Sequence, residues 1–191
     1  MGEMRLYSNT GQRLYLTSSE RVVFETASRK RDRETMTFAL VMLYTGCRIS
    51  EALELRARNI DLENMAIGIE SLKKRRKGVF RSIPVPERLV EAIDLVHAIR
   101  ESKDRNRKLW EFSRMTAWRK IKEIMAVAEI NGPHATPKGL RHGFGVHAIA
   151  HCGIPLNMVQ KWLGHSDLKT TAIYANAVGK EERDIAHKMW N

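Results

Sequence analysis

The sequence predicts a mainly α-helical domain with one small antiparallel β-sheet, an α+β fold. Three features of the chain predict it. Apolar residues recur at helical spacing along most of its length. Between Ile60 and Val85 this spacing gives way to short alternating runs bounded by turn residues. The 191 residues, of which 43% are hydrophobic, are enough to bury a sizeable core in a single domain.

The first two helices are predicted from residues that cap helix ends. Thr17 and Glu20 match the capping box, in which the N-cap hydroxyl and the carboxylate three residues later each bind a free backbone N–H. Asp32 can cap a second helix, and Gly46 can end it. Residues 1–16 precede these helices and are expected to form an extended arm. The two predicted helices span about 17–29 and 32–46.

A third helix and three strands follow. Ile49, Leu53 and Leu55 mark the inward face of a helix from about residue 48 to residue 56. Alternation then predicts strands, and two prolines, Pro84 and Pro86, end the last of them. The predicted strands are about 59–64, 66–69 and 79–85, the last marked by Val79, Arg81, Ile83 and Val85.

The second half of the chain is predicted to be helical, apart from a polar, basic loop that ends at Trp110. Pro86 begins one helix through about Ser102, and Ser113 caps another through about Ala128. Four further helices are predicted at about 137–151, 155–163, 168–176 and 180–190. The chain is thus divided into an arm at 1–16, a main domain at 17–178 and a helical tail at 179–191.

The charge of the chain indicates a polyanionic partner. Lys and Arg number 33 against 22 Asp and Glu, which gives a formal net charge of +11. Such an excess attracts nucleic acid, and the clustering of the cations favours this interpretation over solubility alone. The basic blocks are Lys73, Lys74, Arg75, Arg76 and Lys77 with Arg81, then residues 100–108 and 114–122.

Several other classes of protein are disfavoured by composition. No apolar run approaches the length of a membrane span, and we expect no signal peptide because the first residues lack an apolar core. Cys47 and Cys152 allow one disulfide at most and are interpreted as small apolar residues in a reducing cytoplasm. With no CxxC pair and no HExxH in the sequence, no metal site is expected.

At two places, cationic side chains on a predicted helix form a candidate anion-binding site. Arg48 lies at the predicted first turn of a helix, just after Gly46, where free backbone N–H groups add positive potential. The alternative is a surface arginine paired with Glu51. Lys138 and Arg141 are three residues apart and share one helix face.

A second His and a phenol follow this cation pair. His165 ends a Leu-Gly-His run, and Tyr174 lies nine residues later. Together with the cation pair they suit attack on a phosphate ester, although an ordinary surface could carry the same residues. Residues 153–171 also match a helix-turn-helix, which would make the chain a basic DNA-binding regulator.

Five segments in order resemble the catalytic domain of the tyrosine recombinases, the phage-integrase family. They are Thr-Gly-Cys-Arg-Ile-Ser-Glu-Ala-Leu from residue 45, the basic hairpin at 73–77, Lys-Gly-Leu-Arg-His from 138, Leu-Gly-His from 163 and Thr-Thr-Ala-Ile-Tyr from 170. The resemblance covers about residues 17–178. It implies the tyrosine recombinase catalytic-domain fold and a catalytic domain at those residues.

The resemblance also implies how DNA would be cleaved. Tyr174 would attack the scissile phosphate, forming a 3′-phosphotyrosyl link and freeing a 5′-hydroxyl. Arg48 and Arg141 would bind the non-bridging oxygens, and His165 would hydrogen-bond the phosphate. Two guanidiniums give planar, bidentate contacts that strengthen as charge builds on phosphorus. No metal, ATP or other cofactor is expected.

The remaining site residues carry a proton or support the site. A hairpin lysine would protonate the leaving oxygen, with Lys73 the first choice and Lys74 and Lys77 the alternates. Lys138 stands where the family most often has His, so proton acceptance from the tyrosine would fall to His142, His165 or water. Glu51 and His142 would support the site from behind. Residues expected to contact the DNA backbone are Lys74, Arg75, Arg76, Lys77 and Arg81.

The predicted function is site-specific DNA recombination or integration on double-stranded DNA, as in mobile genetic elements, in the cytoplasm with the nucleoid. One alternative is a DNA-binding protein of the same fold without turnover, because the family's N-terminal DNA-clamping domain does not precede residue 17 here. A second is relaxation of DNA without site preference. The tail at 180–190, with Ile185, Met189 and Trp190, is expected either to dock on another protomer in a tetrameric synapse or to pack on its own domain.

Overall fold

The computed structural model describes residues 5–72, 78–176, 186–187 and 189–190. Within these ranges the chain is mainly helical with one three-stranded antiparallel sheet, so the predicted fold class is confirmed. The α-helices are α1 (Ser18–Ser28), α2 (Arg33–Thr45), α3 (Ile49–Leu53), α4 (Glu87–His97), α5 (Arg114–Val127), α6 (Pro137–Val146), α7 (Leu156–Leu163) and α8 (Lys169–Ala172). The strands are β1 (Ile60–Asp61), β2 (Ala66–Glu70) and β3 (Phe80–Pro84).

Shorter helical segments complete the list of elements. One 3₁₀ turn lies at Ala57–Asn59 and another at Ile173–Asn176. A π-helical turn, His147–His151, continues α6. The predicted helix at 180–190 falls mostly outside the described residues.

The capping residues of α1 and α2 are those that the sequence predicts. Thr17 Oγ1 accepts from the backbone N of Glu20, and the Glu20 carboxylate accepts from the backbone N of Thr17 at 2.8 Å. Asp32 caps α2, and Gly46 ends it with a left-handed backbone at φ 59°. This sharp turn brings the chain directly to Arg48, the N-cap of α3.

Two helices are shorter than predicted. The helix α3 ends at Leu53 rather than near residue 56, because the backbone of residues 55–57 pairs with the loop at 107–109 instead of continuing the helix. The helix α4 ends at His97 rather than near residue 102, since Ala98 adopts a left-handed backbone at φ 45°.

The sheet has the order β1-β2-β3. Ile67 of β2 pairs with Ile60 of β1 and with Ile83 of β3. In β3 the side chains of Arg81 and Ile83 are buried and their neighbours are exposed. Val79, named as the first residue of the predicted strand, is 47% exposed and precedes β3.

The apolar core has two parts. The larger cluster joins α1 to α5 with the sheet, around fully buried side chains such as Phe38 and Trp110. The smaller cluster joins α6 and α7 to the first residues of the chain, and Tyr174 lies within it. The candidate site lies along the boundary between these clusters, because Arg48 follows α2 while Arg141 and His165 belong to the second group of elements.

Residues 5–16 do not form an extended arm. They make a hairpin in which Tyr7 and Arg13 are bridged, and Leu6 and Tyr15 are buried in the smaller cluster. The backbone N of Leu16 donates to Gly139 O at 3.2 Å, so the segment lies directly against α6. The prediction of an arm is wrong because the apolar residues there are too few to show a period but are enough to anchor a hairpin.

Candidate active site

The helix α6 holds two of the predicted cations. Thr136 caps it by accepting from the backbone N of Gly139, and Lys138 and Arg141 follow one turn apart. A Cβ at Gly139 would lie 1.9 Å from the carbonyl oxygen of His134, and one at Gly143 would lie 2.7 Å from that of Leu16. The two glycines therefore let α6 approach neighbouring backbone closely, which fixes the direction of the arginine between them.

Arg141 is the buried centre of the site. Its side chain is bonded to three groups from two other parts of the chain, and the residue is only 5% exposed. It donates to Gly46 O and Leu163 O at 2.7 Å each, and its Nη2 lies 3.0 Å from His165 Nε2. Burial, with Arg48 nearby, lowers its pKa to about 10, so the guanidinium stays charged at neutral pH.

The hydrogen bonds of His165 fix its tautomer. A guanidinium can only donate, so His165 Nε2 accepts from Arg141. The proton of the neutral ring is then on Nδ1, which lies 2.9 Å from Thr171 Oγ1 and donates to it. His165 is thus held from both sides, with its Nε2 turned to the buried arginine.

Arg48 reaches the same place from α3. Its side chain is 41% exposed, and its Nη1 donates to Glu51 Oε1 at 2.8 Å. Glu51 also accepts from the backbone N of Arg48 at 2.9 Å. The predicted pairing of these two residues is therefore present, but Glu51 is buried, so it positions Arg48 rather than neutralising a surface charge.

Arg81, predicted to contact DNA, lies inside the protein. It is 7% exposed, and its Nη2 lies 2.6 Å from Glu51 Oε2. Its Nε donates to Trp162 O at 2.7 Å. The prediction of a DNA contact is wrong because the alternation of β3 turns this side chain to the core face of the sheet.

Tyr174 lies in a closed pocket. The residue is fully buried, and its hydroxyl lies 3.1 Å from His142 Nδ1. Its ring stacks on that of His165 with centroids 6.2 Å apart, and a Cβ at Gly145 would lie 2.5 Å from it. The phenol is thus held beside the cations but shielded from solvent.

Burial sets the protonation of this pocket. It raises the pKa of Tyr174 to about 12, although Arg141 and Arg48 oppose the shift. Burial, with Lys138 and Arg141 nearby, lowers the pKa of His142 to about 3. His142 is therefore neutral, and its Nε2 is buried without a hydrogen-bond partner among the described residues.

A cleft of about 570 Å³ opens onto Arg48, Arg141 and His142, whereas neither His165 nor Tyr174 lines it. Its charged residues are Arg48, Arg114, Lys138 and Arg141, and His142 also lines it. Its apolar walls include Ile49, Trp118, Pro133 and Pro137. Lys138 is exposed at the cleft, so cations that are far apart in sequence meet at one surface.

Some predictions fall elsewhere, and some residues were missed. Lys73, Lys74, Arg75, Arg76 and Lys77 lie outside the described residues, so the proposed general acid has no position here. Thr171, which binds His165, was given no role, although it lies in the Thr-Thr-Ala-Ile-Tyr segment from residue 170, because the spacing alone does not show that it reaches the imidazole. Gly145 was also missed, because only the packing of Tyr174 shows why a side chain is excluded there.

Two other features of the described residues bear on function. No group of three His, Cys, Asp or Glu side chains is arranged to hold a metal ion in that part of the chain. Across the same residues, every helix is too short or too polar to cross a membrane.

Comparison with known proteins gives a consistent result. The model of the phage integrase family matches residues 5–181. The tyrosine recombinase XerA of Pyrococcus furiosus is 30% identical over 168 residues, which are 83% of this chain and 56% of that protein. XerD of Haemophilus ducreyi is 31% identical over 163 residues, covering 80% of this chain and 53% of that protein. The chain thus spans about half the length of the curated relatives it matches.

Solved structures with the same fold include a crystal structure of XerA recombinase. It has a TM-score of 0.78 and 26% identity, covering 93% of this chain and 65% of that one. The catalytic domain of bacteriophage HP1 integrase has a TM-score of 0.64 and 22% identity, covering 90% and 93%. A post-cleavage complex of XerH with a palindromic difH substrate has a TM-score of 0.76 and 21% identity, covering 96% and 55%.

Proposed function

Since the chain belongs to the phage integrase family, we propose that it is the catalytic part of a site-specific DNA recombinase that cleaves and rejoins strands through Tyr174. One observation carries the proposal. Arg48 and Arg141 line the same cleft, and Arg141 bonds His165, whose ring stacks on Tyr174. The substrate is double-stranded DNA, and residues 17–178 form the catalytic domain.

The scissile phosphate binds in the cleft between Arg48 and Arg141. Arg48 has the more exposed guanidinium, so it meets the diester first. Arg141 is buried and already oriented by Gly46 O and Leu163 O, so it loses little conformational freedom when the phosphate arrives. Both guanidiniums stabilise the charge that builds on the non-bridging oxygens during attack.

Tyr174 has to leave its pocket to react. Its hydroxyl is buried against His142, and a raised pKa disfavours the phenolate that attack requires. We infer that DNA binding shifts the segment carrying Tyr174, because the diester binds more tightly to the conformation in which the phenol reaches phosphorus. The phenol oxygen then attacks phosphorus, forming the 3′-phosphotyrosyl link.

His142 takes the proton of the tyrosine in this scheme. Its Nδ1 lies 3.1 Å from the hydroxyl before Tyr174 moves, and His142 also lines the cleft, so it stays within reach of the phenol at the phosphate. Lys138 replaces the residue that often serves in the family. Burial, with Lys138 and Arg141 nearby, lowers the pKa of His142 and makes it a weak base. A bound diester adds negative charge beside it, which raises its affinity for a proton. Lys73, with Lys74 and Lys77 as alternates, protonates the 5′-oxygen that leaves.

His165 changes its hydrogen bond when the phosphate binds. In the empty cleft its Nε2 accepts from Arg141 and cannot also donate. To donate to a phosphate oxygen, Nε2 must carry a proton. The ring therefore either takes up a second proton or changes tautomer, so that the proton lies on Nε2 instead of Nδ1.

Assembly on DNA is part of the proposal. The tail at 179–191 docks on another protomer of a tetrameric synapse, and the protein acts in the cytoplasm on the nucleoid or on a mobile element. Exposed Met189 and Trp190 supply apolar surface for such a contact. Relatives that are recombinases, and a transposon integrase solved with transposon right end DNA, support this setting.

A nicked suicide substrate tests the central claim. Because the target is unknown, the probe is a pool of duplexes with randomised sequence and a nick that lets the short 5′-hydroxyl fragment diffuse away after cleavage. An SDS-stable protein–DNA adduct that disappears in Tyr174→Phe supports the enzyme. Enrichment of one sequence among the adducts supports site specificity.

The competing interpretations give other results. Binding of the pool with no adduct supports a DNA-binding protein without turnover. Removal of supercoils from plasmids that share no enriched sequence supports relaxation without site preference.

A further inference from the structure

Arg81 is a buried cation that the proposed reaction does not use. Its guanidinium is bonded on one side to the Glu51 carboxylate, with Nη2 to Oε2 at 2.6 Å, and on the other to Trp162 O, with Nε to O at 2.7 Å. A Cβ at Gly164 would lie 3.2 Å from its Cζ and Nη1. The guanidinium is therefore held between α3 and the end of α7, and Arg81 lines a cleft of about 280 Å³ with His165 rather than the cleft at Arg48.

The contact with Glu51 leads to Arg48. The same carboxylate accepts from the Arg48 side chain at 2.8 Å and from its backbone N at 2.9 Å. A buried carboxylate needs a paired charge, and the carboxylate of Glu51 is shared by two arginines. The position of Arg48 at the cleft thus depends on Arg81 through one shared carboxylate.

The contact with Trp162 leads to His165. Trp162 and Leu163 form the last turn of α7, and their carbonyls bind two different arginines. Trp162 O accepts from Arg81, and Leu163 O accepts from Arg141. Gly164 then turns with φ 66°, and His165 follows it directly. Arg81 and Arg141 together hold the turn that presents His165.

We propose that Arg81 is a positioning residue of the phosphate site, holding Arg48 through Glu51 and His165 through Trp162 O without touching DNA. The inference rests on the proposed function, since it concerns the same site. It gives β3 a role in aligning Arg48 and His165, two phosphate-binding residues that are far apart in the sequence. It also explains why an arginine occurs on the core face of the strand, where an apolar residue would pack without a charge to compensate.

Two variants test the contacts of Arg81 with Glu51 and with Trp162 O. Arg81→Lys keeps a cation for Glu51 but lacks the rigid fork that reaches Trp162 O as well. The double variant Arg81→Met with Glu51→Gln removes both buried charges together, which avoids an unpaired charge in the core. Ile93→Ala is the control, because Ile93 is fully buried in α4 and belongs to neither connection.

The measurement is the single-turnover rate of adduct formation at saturating suicide substrate, alongside the Kd for the same DNA. We expect Arg81→Lys to slow the rate about 10-fold and the double variant about 100-fold, as for a small misplacement of reacting groups. Kd should change less than about 3-fold, since no phosphate contact is removed. Ile93→Ala should lower Tm without slowing the saturated rate.

A second measurement does not depend on cleavage. The ¹⁵N resonances of the His165 imidazole and of Arg48 Nε should both move in Arg81→Lys and stay in place in Ile93→Ala. Unmoved resonances overturn the inference, as does a rate loss explained wholly by Kd or matched by the control. A wild-type protein that forms no adduct contradicts the proposed function instead, while the resonances still decide the role of Arg81.

Discussion

The two halves of the candidate site differ in readiness. One half is the phosphate-binding group of side chains, in which every member is hydrogen-bonded to another: Arg48, Glu51, Arg81, Arg141 and His165. The tyrosine pocket, formed by His142, Gly145 and Tyr174, is equally well packed but encloses the group that must react. The phosphate-binding groups are thus preorganised, whereas the nucleophile is stored.

This contrast predicts which substitutions change the rate of cleavage and which change stability. Preorganised cations stabilise a developing charge without further rearrangement. A buried phenol with a pKa of about 12 is a poor nucleophile until it moves. Substitutions among the phosphate-binding side chains should therefore slow adduct formation most. Substitutions in the tyrosine pocket should change stability and the pKa of Tyr174.

The largest effect is expected at Arg141. In Arg141→Lys the two carbonyls and His165 lose a fork of fixed donors, so adduct formation should fall about 1,000-fold or more. The variant should also unfold at a lower temperature, because a buried residue loses hydrogen bonds. Single-turnover adduct assays and thermal unfolding measure the two effects. An unaltered rate would remove Arg141 from the site.

A smaller effect is expected at Arg48. Arg48→Lys should slow adduct formation about 100-fold, because a point charge replaces a bidentate contact. Tm should hardly change, since this side chain is 41% exposed and its carboxylate partner keeps Arg81. The same assays apply. If Arg48→Lys lowers Tm as much as Arg141→Lys does, Arg48 is not the exposed and Arg141 the buried member of the pair.

The pocket is tested at Gly145. A Cβ there would lie 2.5 Å from the Tyr174 ring, so Gly145→Ala should cost about 1–3 kcal/mol of unfolding free energy by overpacking. The displaced phenol should also titrate closer to 10 than to 12, which ultraviolet absorbance measures against a Gly145→Ala, Tyr174→Phe background.

The control for this substitution is Gly68→Ala. Its Cβ would meet Asn59 O at 3.6 Å, which is ordinary contact distance. It should leave the titration of Tyr174 unchanged. If both alanine variants behave alike, the closed pocket is not what holds the tyrosine.

The last expected effect is on stability alone, as a pH dependence of the unfolding free energy from His142. Its pKa is about 3 in the folded protein and about 6.5 when unfolded, so the unfolded chain binds more protons between these values. Stability from this group is present above pH 6.5 and lost as pH falls towards 3, by on the order of 1.4 kcal/mol per pH unit. His142→Asn should show a shallower loss between pH 7 and pH 4 in denaturant titrations. Parallel curves would contradict the burial of a neutral imidazole.

The sequence predicted most of the fold because its signals are local. Thr17, Asp32 and Ser113 each cap the expected helix with a side-chain acceptor, and such contacts span only three residues. The ends of α3 and α4 were not predictable in the same way. They are set by pairing with the loop at 105–109 and by the left-handed backbone of Ala98, which depend on tertiary contacts.

The candidate site could be predicted in its members but not in its geometry. Motif order singled out Arg48, Arg141, His165 and Tyr174, and the structure brings all four to one region. Arg81 was misassigned because a basic residue after a basic run is indistinguishable from its neighbours until the strand register is known. The enclosure of Tyr174 has no sequence signal either, since it arises from residues more than 25 positions apart.

The last turn of α7 has an electrostatic consequence. Its carbonyls at Trp162 and Leu163 form the negative end of the helix dipole, and each faces a guanidinium. This end offsets part of the repulsion among Arg48, Arg81 and Arg141, so the carbonyl end of α7 serves as a counter-ion built into the fold.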